Sequence, residues 1–226
     1  MLLKFWFAPV ITAAVFALAF WVGFGCFSEH IGDFTADGGI VDCLSFAGYA
    51  ALLLTFWRCR KSFETPFEKR SLAMFTFFAV AAALREAGGQ HWIASRDTTA
   101  FKVRFFTNPD NPLSEKIIAF ALLTAIAGLF GYAMFLWLIP AFKGLFKKYA
   151  GSTTVITLLS AGALCKIADR THGNLAKHGI ILPRDGFAFQ ALEIAEESLE
   201  MMLPYLGIIA VLQFCADKKL FYPRGK

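Results

Sequence analysis

Six long apolar stretches constrain what this chain can fold into more than any other feature. They cover residues 4–27, 40–57, 71–88, 117–142, 152–174 and 189–215. A helix that crosses the hydrocarbon layer of a membrane needs about 20 mostly apolar residues. Composition agrees, since 57% of the 226 residues are hydrophobic and 17% are charged. The sequence therefore predicts an all-α polytopic membrane protein, a bundle of about six transmembrane helices formed by a single transmembrane domain over residues 1–226.

The third and fifth stretches carry charged residues near one end. In the third, residues 71–84 precede Arg85, and in the fifth, residues 152–165 precede Lys166. These uncharged runs are shorter than a complete crossing. The two helices therefore cross fully only if their charged ends lie in the outer leaflet.

The distribution of basic residues predicts the orientation of the chain. With six crossings, the side that holds both termini carries 13 of the 22 Lys and Arg residues. Short loops rich in Lys and Arg stay in the cytoplasm. Both termini are therefore expected to be cytoplasmic, and the expected location is a bacterial inner membrane. The net charge of +5 follows from this topology, and no nucleic-acid partner is expected because the basic residues do not cluster with aromatic residues in a polar domain.

Ionisable side chains recur at one depth in four of the predicted helices. At 1.5 Å per residue they lie about 21 to 27 Å above the cytoplasmic helix ends. They are Asp42, Arg85, Glu86, Lys166, Asp169, Arg170, Glu197 and Glu200. Three cations cannot neutralise five carboxylates, and an unpaired charge in hydrocarbon is costly. The excess negative charge predicts a polar cavity that opens outward and holds a proton, a bound cation or water.

The last apolar stretch also carries a stripe of four carboxylates. Glu193, Glu196, Glu197 and Glu200 follow the spacing i, i+3, i+4, i+7, which places them on one face of a helix. Such a stripe is either a structural seam closed by ion pairs or a site for a ligand, proton or metal. We expect Glu197 and Glu200 to lie below the outer membrane boundary and to contact at least one of Arg85, Lys166 or Arg170.

The candidate site residues come from these charged groups and from the outer loops. The candidate catalytic residues are Glu86, His91, Asp169, His172, Glu197 and Glu200. The candidate anion-binding residues are Arg85, Arg96, Arg104, Lys166 and Arg170. Arginine forks match phosphate oxygens, and a carboxylate beside a histidine suits general acid–base catalysis or metal binding. We expect these residues to converge on one outward-facing pocket.

Cofactor signals in the sequence are weak. Asp169 and His172 share a helical face, so a divalent metal is the cofactor candidate, although the ExxH pattern of di-metal bundles is absent. The five cysteines form no CxxC pair, which argues against a thiolate metal centre. Haem is disfavoured because only His172 lies in a predicted helix.

Three functional classes fit these features. The first is an enzyme that acts at the outer leaflet on a lipid-linked or phosphorylated substrate. The second is a proton- or cation-coupled transporter, and the third is a non-catalytic partner subunit. Familiar catalytic motifs such as GxSxG, HExxH and Walker A are absent. Membrane lipids and an anionic headgroup are the expected partners, and neither enzymatic activity nor the oligomeric state follows from the sequence.

Overall fold

The computed structural model describes residues 2–27, 34–35, 39–87 and 103–218, with residues 103 and 104 described by their backbone alone. Seven helices lie in these ranges. They are α1 (Phe7–Cys26), α2 (Ile40–Cys59), α3 (Pro66–Glu86), α4 (Val103–Thr107), α5 (Leu113–Phe146), α6 (Ala150–Lys177) and α7 (Phe187–Ala216). A 3-10 turn, Arg60–Ser62, follows α2. The described ranges contain no strand, which confirms the prediction of an all-α chain.

Five helical segments are long and apolar enough to cross a membrane. They are Phe7–Cys26, Ile40–Ser62, Leu113–Phe146, Ala150–Lys177 and Phe187–Ala216. Each coincides with one of the six predicted stretches, and α5 extends to 34 residues. The chain therefore has the architecture of an α-helical multi-pass membrane protein.

The sixth predicted crossing, residues 71–88, corresponds to α3, which begins earlier than hydrophobicity alone indicates. Thr65 and Glu68 form a capping box: the Glu68 backbone N–H donates to the Thr65 hydroxyl at 3.2 Å, and the Thr65 N–H donates to the Glu68 carboxylate at 3.0 Å. Pro66 occupies the first helical turn, where its missing N–H costs nothing. The added turn is charged, and α3 is not among the five long apolar segments. Crossing by α3 stays a prediction, as does the cytoplasmic side of the termini.

The chain divides into two compact units, Met1–Ser62 with Pro140–Lys226, and Phe63–Ile139. We call the first the four-helix unit, because α1, α2, α6 and α7 form it, and the second the aromatic unit. Helix α5 passes from one unit to the other between Ile139 and Pro140. Whether the units act as one transmembrane domain stays a prediction.

Helix α7 is the centre of the four-helix unit and packs against α1, α2 and α6. Near its C-terminus, the Gln213 amide donates to the Leu2 carbonyl at 2.7 Å and accepts from the Thr154 hydroxyl at 2.7 Å. Near its N-terminus, the Phe187 ring stacks on the Phe24 ring at 4.9 Å. Helices α1 and α6 therefore run antiparallel to α7.

Helix α2 runs parallel to α7, since the Tyr205 hydroxyl donates to the Leu44 carbonyl at 3.0 Å while Leu52 lies against Gly207. The four-helix unit thus has two ends. The loop end collects the C-termini of α1 and α6 and the N-termini of α2 and α7. The terminal end collects their opposite ends.

The aromatic unit is held by rings between α3 and α5. Phe67 stacks on Trp137 with ring centroids 5.5 Å apart, and Phe78 meets Phe130 edge-on at 6.3 Å. Offset and edge-on pairs of this kind stabilise aromatic contacts beyond their buried area. The order of the pairs shows that α3 and the first part of α5 are antiparallel.

Candidate functional site

A pocket of about 350 Å³ opens at the loop end of the four-helix unit. Its wall consists of the last turns of α6, the connection between α6 and α7, and the first turn of α7. The lining residues are His172, Ala176, Ile181, Leu182, Pro183, Arg184 and Phe189. We call this cavity the α6–α7 pocket.

The connection of residues 178–186 folds tightly because of two glycines. Gly179 follows α6 with φ of +80°, a left-handed conformation that ends a helix at low cost for glycine. Gly186 caps α7, and its N–H donates to the Pro183 carbonyl at 2.9 Å. A Cβ at Gly186 would lie 3.0 Å from that oxygen. These turns hold Pro183 and Arg184 against the helix ends.

The pocket combines charged and apolar groups. The His172 ring meets the Phe189 ring edge-on, with centroids 5.5 Å apart. Glu193 lies one turn further along α7 and is attracted electrostatically by both His172 and Arg184. An anion can bind the Arg184 guanidinium, whose planar fork matches phosphate and carboxylate oxygens. The imidazole beside it can donate or accept a proton.

The carboxylate stripe of α7 continues from the pocket into the bundle. Glu193, Glu196 and Glu197 are half-buried, whereas Glu200 is only 5% exposed. The Cys165 thiol of α6 donates to a Glu200 carboxylate oxygen at 3.8 Å. Glu200 therefore lies in the seam between α6 and α7, beside the apolar cluster that contains Leu199 and Met202.

The predicted cations of α6 pair locally with Asp169. Lys166 Nζ lies 2.9 Å and Arg170 Nε 3.9 Å from the Asp169 carboxylate, and the side chains of both cations are more than half exposed. Exposed pairs of this kind contribute little to stability. Contact of Lys166 or Arg170 with Glu197 or Glu200 stays a prediction.

The remaining predicted site residues belong elsewhere in the chain. Arg85 and Glu86 form an ion pair at 3.7 Å at the end of α3, in the aromatic unit. His91 and Arg96 lie outside the described residues, and so does the side chain of Arg104. Convergence of all these groups on one pocket therefore stays a prediction. Among the predicted site residues whose side chains the structure describes, His172 lines the α6–α7 pocket.

Sequence reasoning missed two residues that line the pocket, Arg184 and Phe189, and did not place Glu193 of the carboxylate stripe beside them. The available signal was the short connection bounded by Gly179 and Gly186, since a tight turn between two long helices must keep its side chains close to the helix ends.

Metal binding finds no support in the described part of the chain. There, no group of three or more His, Cys, Asp or Glu side chains is arranged to hold a metal ion. The divalent metal stays an untested prediction.

Comparison with known proteins adds no relative. No family model, no curated protein and no solved structure matches the chain.

Proposed function

We propose that this protein resides in a bacterial inner membrane and binds, in the α6–α7 pocket, the anionic headgroup of a lipid or of a lipid-linked phosphorylated compound. One observation carries the proposal: the pocket joins Arg184 and His172 to an apolar wall that includes Phe189. A ligand with an anionic head and an apolar body complements such a lining, because the head can pair with the Arg184 guanidinium while the body contacts the apolar wall.

The depth of the pocket supports a headgroup ligand. Phe189 lies about 39 Å from Cys215 along α7 at the helical rise of 1.5 Å per residue. The hydrocarbon layer is about 30 Å thick. With Cys215 at one edge of that layer, Phe189 reaches the headgroup region of the opposite leaflet, while Glu200 stays within the hydrocarbon.

The orientation of the pocket follows from the basic residues of the four-helix unit. Lys4, Arg58, Arg60, Lys61, Lys143, Lys147, Lys148 and Lys218 belong to its terminal end. The loop end carries Lys166, Arg170, Lys177 and Arg184. Excess positive charge marks the cytoplasmic side, so we assign the pocket to the outer side. Arg60 stacks at 4.8 Å on the Trp57 ring, an arrangement suited to the membrane interface.

Chemistry on the bound compound is part of the proposal. His172 is the ionisable pocket residue that can move a proton to or from a ligand held by Arg184. Glu197 and Glu200 extend the carboxylate stripe into the bundle. The reaction class we favour is therefore acid–base chemistry on a lipid-linked or phosphorylated substrate.

Removing the charge of Arg184 tests the binding step. We expect Arg184→Gln to weaken binding of phosphatidylglycerol at least about tenfold, since a hydrogen bond to a charged group contributes about 1.5 to 3 kcal/mol. Native mass spectrometry of the purified protein, titrated with phosphatidylglycerol or with phosphatidylcholine, measures the change.

Lys177→Gln is the matched control, because Lys177 is exposed at the end of α6 and does not line the pocket. Equal weakening in both variants, or equal affinity for both lipids, contradicts the proposal.

Product formation from a lipid-linked phosphate identifies an enzyme. Ion flux in proteoliposomes identifies a transporter instead, and stoichiometric co-purification of another membrane protein identifies a partner subunit.

A further inference from the structure

The connection between α6 and α7 presents large apolar side chains on its outer surface. Ile180 is 52% exposed and Ile181 is 80% exposed, and Phe187, the first residue of α7, is 71% exposed. Apolar side chains of this size are costly to leave in water, so exposed groups of them usually mark a contact with a membrane or a protein. Headgroup binding inside the α6–α7 pocket does not account for these outward-facing residues.

Backbone hydrogen bonds fix the start of this connection. After the last turn of α6, the Gly179 N–H donates to the Ala176 carbonyl at 3.1 Å, and the Ile180 N–H donates to the Leu175 carbonyl at 3.0 Å. This pattern, with glycine in the left-handed conformation, is a common helix end. The exposure of the two isoleucines therefore belongs to a defined turn.

Helix α1 gives the level of Phe187 relative to the membrane. Its 20 residues measure about 30 Å, the thickness of the hydrocarbon layer. Phe24 lies in its last turn, and the Phe187 ring stacks on the Phe24 ring with centroids 4.9 Å apart. Trp21 of α1 is 69% exposed, as suits a side chain that faces lipid near the membrane interface. Phe187 thus continues the lipid-facing surface of α1 at the boundary between hydrocarbon and headgroups.

Ile181 connects the outer surface to the α6–α7 pocket. It lines the pocket together with Arg184 and Phe189, although most of its side chain is exposed. A lipid whose chains stay in the bilayer can pass its headgroup over Ile181 to the guanidinium without carrying apolar surface through water. A lipid is therefore the occupant that suits both the exposed apolar residues and the cation behind them.

We propose that Ile180, Ile181 and Phe187 contact the outer leaflet and that the ligand enters the pocket sideways from the bilayer, over Ile181. This inference rests on the proposed function, because it gives the route by which an anionic lipid reaches Arg184. It also narrows the ligand class to compounds with at least one chain embedded in the membrane.

Spin labelling tests the contact with lipid. Ile181→Cys and Asp185→Cys are made in a chain whose native cysteines are replaced, and each protein is labelled with a nitroxide in phosphatidylglycerol bilayers. At position 181 we expect more collisions with oxygen, which concentrates in lipid, than with a water-soluble nickel chelate. Asp185 is exposed in the same connection, so its label is the control and should show the opposite order. A water-like order at position 181 overturns the proposal.

Substitution of Ile181 tests the route of entry. We expect Ile181→Asn to lower binding of phosphatidylglycerol from nanodiscs at least about threefold, because a polar side chain interrupts the apolar path. Affinity for water-soluble glycerophosphoglycerol, the headgroup without its chains, should stay unchanged. Ile181→Leu keeps the apolar surface and is the matched control. Native mass spectrometry measures both compounds.

Two results with Ile181→Asn overturn lateral entry: an equal loss for both compounds, or no loss for phosphatidylglycerol. Absence of phosphatidylglycerol binding in the unsubstituted protein instead contradicts the proposed function, and lateral entry falls with it. The spin label at position 181 decides the lipid contact in either case, because its signal does not depend on occupancy of the pocket.

Discussion

At the residue scale, the electrostatics of the α6–α7 pocket depend on three neighbouring side chains, those of Arg184, His172 and Glu193. Arg184 and His172 both attract Glu193, so the carboxylate offsets part of the positive charge that would otherwise face a ligand. Glu197 and Glu200 lie one and two turns deeper on α7, and Glu200 contacts the Cys165 thiol. We therefore propose that Glu193 modulates binding at the pocket and that the deeper carboxylates take part in the chemistry.

Substitutions in the stripe separate these two roles. Glu193→Gln is expected to strengthen binding of an anionic lipid about two- to fivefold, because a like charge in a partly screened position is worth about 0.5 to 1 kcal/mol. Glu197→Gln is expected to leave that affinity unchanged while reducing product formation. Native mass spectrometry and an activity assay on the same preparations measure both effects.

Other results would contradict the separate roles proposed for Glu193 in binding and for Glu197 in chemistry. If Glu193→Gln weakens binding, the carboxylate orients Arg184 and His172 for the ligand instead of repelling it. If Glu197→Gln leaves stability, binding, metal content and activity unaffected, the stripe is not a site.

At the element scale, long hydrophobic runs predicted helices well, and local turn chemistry explains what they did not predict. Five predicted stretches coincide with long apolar helices, because a run of about 20 apolar residues forms few stable structures other than a membrane helix. The start of α3 was missed since Thr65, Pro66 and Glu68 are polar or helix-breaking residues that act together as a cap. Arg184 was missed because its position depends on the conformation of the connection between α6 and α7.

Helix α2 packs closely on α7 at Gly48. Gly48→Ala is expected to destabilise the protein by about 1 to 3 kcal/mol, since the added methyl group would overlap Pro204 and force the helices apart. Chemical denaturation of the purified protein in mixed micelles measures the change in the free energy of unfolding.

Gly162→Ala in α6 is the matched control. A Cβ there would lie 3.8 Å from Leu203, an ordinary contact, and alanine favours a helix over glycine by up to about 1 kcal/mol. This variant should be neutral or stabilising. A larger loss of stability in Gly162→Ala than in Gly48→Ala contradicts the conclusion that the contact of α2 with α7 at Gly48 is tighter than the contact of α6 with α7 at Gly162.

At the scale of the whole molecule, the sequence predicts a helical membrane architecture. It does not predict that the chain divides into the four-helix unit and the aromatic unit. Hydrophobic length and basic residues say which segments cross and which side they face. They do not say which helices form a common core. The boundary between Ile139 and Pro140 falls inside a continuous apolar helix, so no change in composition marks it.

The predicted topology can be tested by thiol labelling from outside the cell. Starting from a chain whose native cysteines are replaced, His178→Cys should react with a membrane-impermeant maleimide, because residue 178 lies in the connection at the loop end. Lys147→Cys, in the turn after α5, should react only after the membrane is permeabilised. Reversed labelling of the two positions shows that the termini face outward and that the pocket faces the cytoplasm.

The most direct test of the headgroup-binding pocket is an experimental structure of the protein in nanodiscs that contain phosphatidylglycerol. We predict density for a headgroup phosphate in the α6–α7 pocket, with an oxygen about 2.7 to 2.9 Å from the Arg184 guanidinium, the distance of a charge-assisted hydrogen bond. The acyl chains should lead away along the apolar wall near Phe189. A pocket filled only with water, with Arg184 turned toward bulk solvent while lipid headgroups are resolved elsewhere on the protein, contradicts the account.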